Sequence, residues 1–189
     1  YMCENLVNVE LNDGIKVVGI RAFDSCESLT SINFPSTLEE IGKWAFMRCN
    51  NLEFWELPSG LEVIRDGAFY KCKSLKSLFV PSTVKKIEKD AFGQCSKLQS
   101  VELPEHLEEI GSGAFLYCEC LAAVVLNEGL KEIGERAFSD CTSLRNIHFP
   151  STLEVIGNGA FQQCLSLVTV KLNEGLKRIG EKAFCDCSS

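Results

Sequence analysis

The chain has 189 residues and a formal charge of −7, from 26 acidic and 19 basic residues, and 46% of its residues are hydrophobic. The charges of both signs are interspersed, so no cationic stripe is offered to a phosphate backbone and nucleic acid is not an expected partner. No apolar run approaches the roughly 20 residues of a membrane span, and residues 1–15 lack the basic start, apolar core and small-residue cleavage site of a signal peptide.

Along the chain, the string AFxxC recurs with its Ala at positions 22, 45, 68, 91, 114, 137, 160 and 183, always 23 residues apart. A period held without one insertion predicts stacked coils, a solenoid in which each coil touches only its neighbours. Residues 1–189 read as a single solenoid of about eight 23-residue coils, uncapped at both ends and therefore a segment of a longer array. Starting at Ala, the consensus coil is AFxxCxxLxxVxLPxxLxxIGxx.

The stretch LxxVxL, as in Leu98, Val101 and Leu103, alternates in its second half and predicts a short strand. Stacked coils then make one long parallel sheet with strands about 4.8 Å apart. The stretch LxxIG, as in Leu107, Ile110 and Gly111, carries the chain across the far side, and AFxxC is expected to form a short helical or 3₁₀ turn before the next strand. The Phe of AFxxC, from Phe23 to Phe184, uses eight of the twelve Phe residues and predicts a ladder of stacked core rings.

All five prolines, Pro35, Pro58, Pro81, Pro104 and Pro150, stand directly after the strand, where a fixed φ and a missing N–H end pairing. Where Pro is absent, Asn12-Asp13-Gly14, Asn127-Glu128-Gly129 and Asn173-Glu174-Gly175 supply the turn by other chemistry. Arg65 and Glu88 replace the Gly after Ile in two coils, so that position is not expected to require a positive φ.

With these residues in view, the chain resembles the BspA-like, or Treponema pallidum-type, class of leucine-rich repeats over residues 3–187. The match includes the 23-residue length, the LxxVxLP strand, the LxxIG segment and the AFxxC turn. The more widespread pattern LxxLxLxxN/CxL is not met, since its Asn position holds Thr37, Gly60, Thr83, His106 or Gly129. The resemblance implies a right-handed superhelix or horseshoe, mainly β, with a parallel sheet on one face. It also implies a surface or secreted protein, several relatives of which are adhesins toward host proteins or neighbouring cells. It carries over no ligand residues.

Nine of the eleven cysteines, from Cys3 through Cys187, fall on the fifth position of the repeat and read as buried free thiols serving as small hydrophobes. Cys120 and Cys185 lie off that ladder and are the two expected to be exposed or reactive. Trp55 has an inward phase, whereas Trp44 belongs at a turn surface as a second contact.

Two strand positions point outward and form adjacent columns down the coils. The first runs Asn8, Ser31, Phe54, Ser77, Ser100, Ala123, Asn146, Thr169, and the second Glu10, Asn33, Glu56, Phe79, Glu102, Val125, His148, Lys171. The candidate binding residues are Phe54, Glu56, Phe79, Glu102, Ala123, Val125, His148 and Lys171, because Phe54, Phe79, Ala123 and Val125 make an apolar stretch that solvation does not require. The competing reading is that aromatic and branched residues simply favour strands.

The chain contains no Gly-rich phosphate loop, nucleophile elbow or paired metal spacing, so no catalytic residue, cofactor or metal is assigned. The expected role is a non-catalytic module whose partners are proteins, extracellular-matrix and plasma proteins being the first to test. The rival is an intracellular or structural scaffold that self-associates end to end or spaces other domains.

Overall fold

Extended backbone forms twice in every 23-residue period, each time where one aliphatic residue sits between residues that tolerate solvent. The structure is a computed structural model describing residue 3 and residues 5–53 and 56–187. The first series comprises the three-residue strands Asn8–Glu10, Ser31–Asn33, Ser77–Phe79, Ser100–Glu102, Ala123–Val125, Asn146–His148 and Thr169–Lys171. Their central residues turn inward, with Leu78, Val101, Val124 and Ile147 buried. The strands pair parallel and in register, Ser77 with Ser100 and Ser100 with Ala123, and a bridge adds Glu56 beside Phe79.

The second series, the two-residue strands from Val17–Val18 to Arg178–Ile179, forms one eight-stranded parallel sheet around a buried column of Ile41, Ile64, Ile87, Ile110, Ile133 and Ile156. The LxxIG sheet runs through all eight of its strands, while among the described residues the LxxVxL strands pair in three shorter ladders. Gly after Ile tightens this ladder. Gly42, Gly111, Gly134, Gly157 and Gly180 each donate to the preceding coil at 2.7–2.8 Å. At Arg65 and Glu88 the same bond lengthens to 3.0 and 3.3 Å. None of these glycines has a positive φ, so close approach, not backbone freedom, is what the position uses.

The AFxxC segment departs from expectation: no helical or 3₁₀ segment occurs among the described residues. The stretch forms three overlapping β-turns. Gly42 C=O accepts from Ala45 N–H at 3.1 Å, Trp44 C=O from Met47 N–H at 3.2 Å and Phe46 C=O from Cys49 N–H at 3.2 Å, with positive φ at the third residue of the first and last turns, 53° at Trp44 and 60° at Arg48. A left-handed residue there reverses the chain where a helix would continue. The reversal frees alternate N–H groups to reach the next coil, so Trp44, Phe46 and Arg48 donate to Asp66, Ala68 and Tyr70 at 2.8–2.9 Å. A helix would hold those donors inside its own coil and leave the stack without a third ladder.

Between the ladders runs the core. The eight rings from Phe23 to Phe184 stack at centroid separations of 5.1–5.6 Å with planes within 9° of parallel. Beside them, the thiols of Cys49, Cys72, Cys95, Cys118, Cys141, Cys164 and Cys187 donate to the Phe carbonyl of the coil before, at 3.1–3.4 Å. The two turn chemistries interlock in the same way. Gly14 and Gly129 N–H donate to the hydroxyls of Thr37 and Thr152 one coil later, at 3.0 and 3.1 Å. Those hydroxyls donate back to Ile15 and Leu130 C=O.

Candidate strand-face binding site

Register brings four of the candidate residues into one outward column, in the order Glu56, Phe79, Glu102, Val125, each directly beside the next. Ala123 lies in the adjoining column after Ser77 and Ser100. His148 and Lys171 pair with each other in a separate ladder farther along the face. Phe54 and Trp55 lie outside the described residues.

The column of small side chains beside the column of bulky ones opens a groove of about 780 Å³. Ser77, Ser100 and Ala123 line one side of it, and Phe79, Glu102 and Val125 the other. Phe79 is 38% and Val125 63% exposed, although both lie within a ladder whose inward residues are sealed. The groove continues past the strand ends onto Glu105 and Asn127. The sequence alone marked Asn127 only as turn chemistry and did not single out Glu105. Their signal was proximity to the second column, Glu105 three residues after Glu102 and Asn127 two after Val125.

Several charges around the LxxIG sheet pair between coils: Lys16 with Glu39 at 2.7 Å, Lys86 with Glu109 and Lys131 with Glu108 at 2.9 Å, and Lys177 with Glu154 at 2.8 Å. Hydrogen bonds to these partners raise the ammonium pKa of Lys16, Lys86 and Lys131, and the Lys131 bond lowers that of Glu108. Arg65 grips Glu40 through Nε and Nη2 at 2.9 and 3.1 Å and Glu88 through Nη1 at 3.0 Å, which holds the Glu40 carboxyl below its ordinary value. This network fills the two places where Gly is lost. On the strand face, by contrast, no ion pair or side-chain hydrogen bond among the described residues engages Glu56, Glu102, His148 or Lys171.

Trp44 stands at the turn surface as expected, but it is engaged. Its indole lies against the backbone of Gly67, and the Arg21 guanidinium sits 4.9 Å from its ring centroid. Cys120 is exposed and Cys185 partly so, while burial pushes the ladder thiols up, Cys49, Cys95 and Cys164 to about 12. A protonated, buried thiol is a poor nucleophile and a poor metal ligand. Among the described residues no three His, Cys, Asp or Glu side chains gather to hold a metal.

A BspA type leucine-rich repeat region matches residues 1–122 and 62–189. The chain belongs to that family. Three solved leucine-rich repeat structures are similar to it. The leucine-rich repeat protein of Bacteroides ovatus is 32% identical with a TM-score of 0.90, over 98% of this chain and 48% of that one. The Treponema pallidum leucine-rich repeat protein is 36% identical with a TM-score of 0.77, over 86% of this chain and 78% of that one. A leucine rich cell surface protein of Faecalibacterium prausnitzii is 31% identical with a TM-score of 0.76, over 87% of this chain and 47% of that one. The chain thus spans about half the length of the first and third relatives. Among curated proteins none matches it. No helix among the described residues is long and apolar enough to cross a membrane.

Proposed function

We propose that this BspA-type chain is a non-catalytic protein-binding module of a surface or secreted protein, acting as an adhesin toward host or neighbouring-cell proteins. The carrying observation is the contrast between faces. Several charges around the LxxIG sheet are bonded coil to coil, whereas the strand face leaves Phe79, Val125, Glu56 and Glu102 exposed around an open groove. Exposed apolar side chains rimmed by unpaired polar ones make the surface on which partner contacts concentrate. A regular array also presents its polar groups in parallel rows, not converging on one enclosed point as catalysis needs. The surface assignment is supported by similarity to a leucine rich cell surface protein.

The test is surface binding of the chain to extracellular-matrix and plasma proteins, beside a Phe79→Ser/Val125→Ser variant with an unchanged urea midpoint. A saturable signal lost in the variant is expected. Equal binding by both would move the site off the strand face, and a flat response across the panel would favour a scaffold.

A further inference from the structure

Resting on that reading of the strand face, the chemistry of the partner's anchor follows from the order Glu56, Phe79, Glu102. An aromatic ring stands between two carboxylates on adjacent strands, all three pointing outward in register. With neighbouring strands about 4.8 Å apart, the Cα of each Glu lies about 5 Å from that of Phe79 along the column, one on either side. Among the described residues no ion pair engages either carboxylate. Lys76, three residues before Phe79, has its ammonium 3.6 Å from Glu53, and His148 lies two coils beyond Glu102.

We infer that this part of the groove anchors an arginine side chain of a protein partner, its guanidinium flat on Phe79 and its edges bonded to Glu56 and Glu102. The ring face attracts a cation, and a planar fork with five donors serves carboxylates on two sides while it stacks, which a compact ammonium cannot do. Ser77 and Ser100 leave depth beside Phe79 for the aliphatic stem, and Val125 extends the apolar wall for the residue that follows. An acidic segment is repelled by both carboxylates. A purely apolar segment would leave two carboxylates desolvated and unpaired, a costly outcome that selects against it. The chain's own charge of −7 adds long-range attraction for a basic partner.

The experiment uses the ¹⁵N-labelled chain titrated with the peptide acetyl-Ser-Leu-Arg-Leu-Ser-amide and with its counterpart carrying citrulline, the neutral isostere, in place of Arg. Saturable amide shifts centred on residues 77–79 and 100–102 are expected with the arginine peptide, with binding about tenfold weaker for citrulline and about tenfold weaker in a Glu56→Gln/Glu102→Gln variant. Phe79→Leu, which keeps apolar bulk and removes the ring face, is expected to weaken binding about threefold. No shift with the arginine peptide, equal affinity for both peptides, or indifference to the Gln substitutions would overturn the anchor. A protein partner lost in Phe79→Ser/Val125→Ser but retained in Glu56→Gln/Glu102→Gln would keep the binding face and discard the arginine.

Discussion

Alkaline pH is expected to unfold this solenoid through its own thiols. Seven ladder cysteines, Cys26, Cys49, Cys72, Cys95, Cys118, Cys141 and Cys164, have no solvent exposure. Burial pushes Cys26 up to about 11, Cys49, Cys95 and Cys164 up to about 12, and Cys72, Cys118 and Cys141 well above the ordinary 9.0. A group raised in the folded state gives its full stabilisation below the ordinary value and loses it as pH climbs toward the folded value. At pH 10 each thiol released by unfolding ionises, a loss of about 1.4 kcal/mol per thiol and about 10 kcal/mol for the ladder, the size of a whole domain's stability. The figure depends on the unfolded value and hardly on how far above pH 10 the folded value lies. Lys16, Lys86 and Lys131, raised above 10.5 by their Glu partners, stay charged at pH 10 and keep their ion pairs out of the effect. The assay is the urea midpoint in reducing buffer at pH 7, 8, 9 and 10, for the wild type and a Cys95→Ala/Cys118→Ala/Cys141→Ala variant. The variant should start lower, having lost three S–H bonds, and fall about 4 kcal/mol less between pH 8 and pH 10. A wild-type midpoint that stays flat to pH 10, or equal slopes in the two proteins, would refute the buried protonated ladder.

Three further perturbations probe the same architecture. A thiol reagent at neutral pH should label Cys3 and Cys120 in the folded chain and reach the seven ladder thiols only on unfolding; prompt labelling of all eleven would contradict the burial. Phe92→Ala removes a ring held between Phe69 and Phe115 at 5.4 and 5.6 Å, for an expected cost of about 3–5 kcal/mol by urea denaturation, and a cost under about 1 kcal/mol would discount the ladder. Gly67→Ala places a Cβ at φ 60° into the Trp44 indole, so stability should fall by about 1–3 kcal/mol and the Trp44 indole ¹H–¹⁵N resonance should move; an unmoved resonance would mean that the ring does not rest there.

The coils, the ring ladder and the thiol ladder were legible because each position states its role eight times over. The AFxxC turn was not, since a helical turn and a run of overlapping β-turns share i→i+3 bonds and the same buried Ala, Phe and Cys. The difference lies in left-handed residues such as Trp44, Arg48, Lys71 and Tyr117, whose side chains do not announce a positive φ. Gly67, Gly113 and Gly159, all at the position before Ala and all with positive φ, were the readable signal. At the site, column membership followed from period-two alternation. Whether a charge is paired followed from a different comparison, one coil up and one coil down: Glu108 meets Lys131, whereas Glu102 meets only Phe79 and Val125.

Fold and site are therefore carried by different atoms. The stack is held by backbone ladders, rings and S–H donors, and the outward side chains of Glu56, Phe79, Glu102 and Val125 take no part in it. Substitutions there belong to the surface class that moves stability by about 0.5 kcal/mol or less, so specificity is free to change without loss of the scaffold. Coil order is less free. Gly14 and Gly129 each need the Thr hydroxyl of the following coil, which makes an Asn-x-Gly coil and its Pro-Ser-Thr neighbour a unit. Copying by pairs preserves that bond, and LNEGLKEIGERAF at 126–138 beside LNEGLKRIGEKAF at 172–184 has the 46-residue spacing of such an event. The groove, however, spans three strands, from Ser77–Phe79 to Ala123–Val125. A pair inserted anywhere between Glu56 and Val125 would separate Phe79 from one of the two carboxylates or from Val125, so growth of the array and retention of the proposed site are compatible only when new pairs enter outside that stretch.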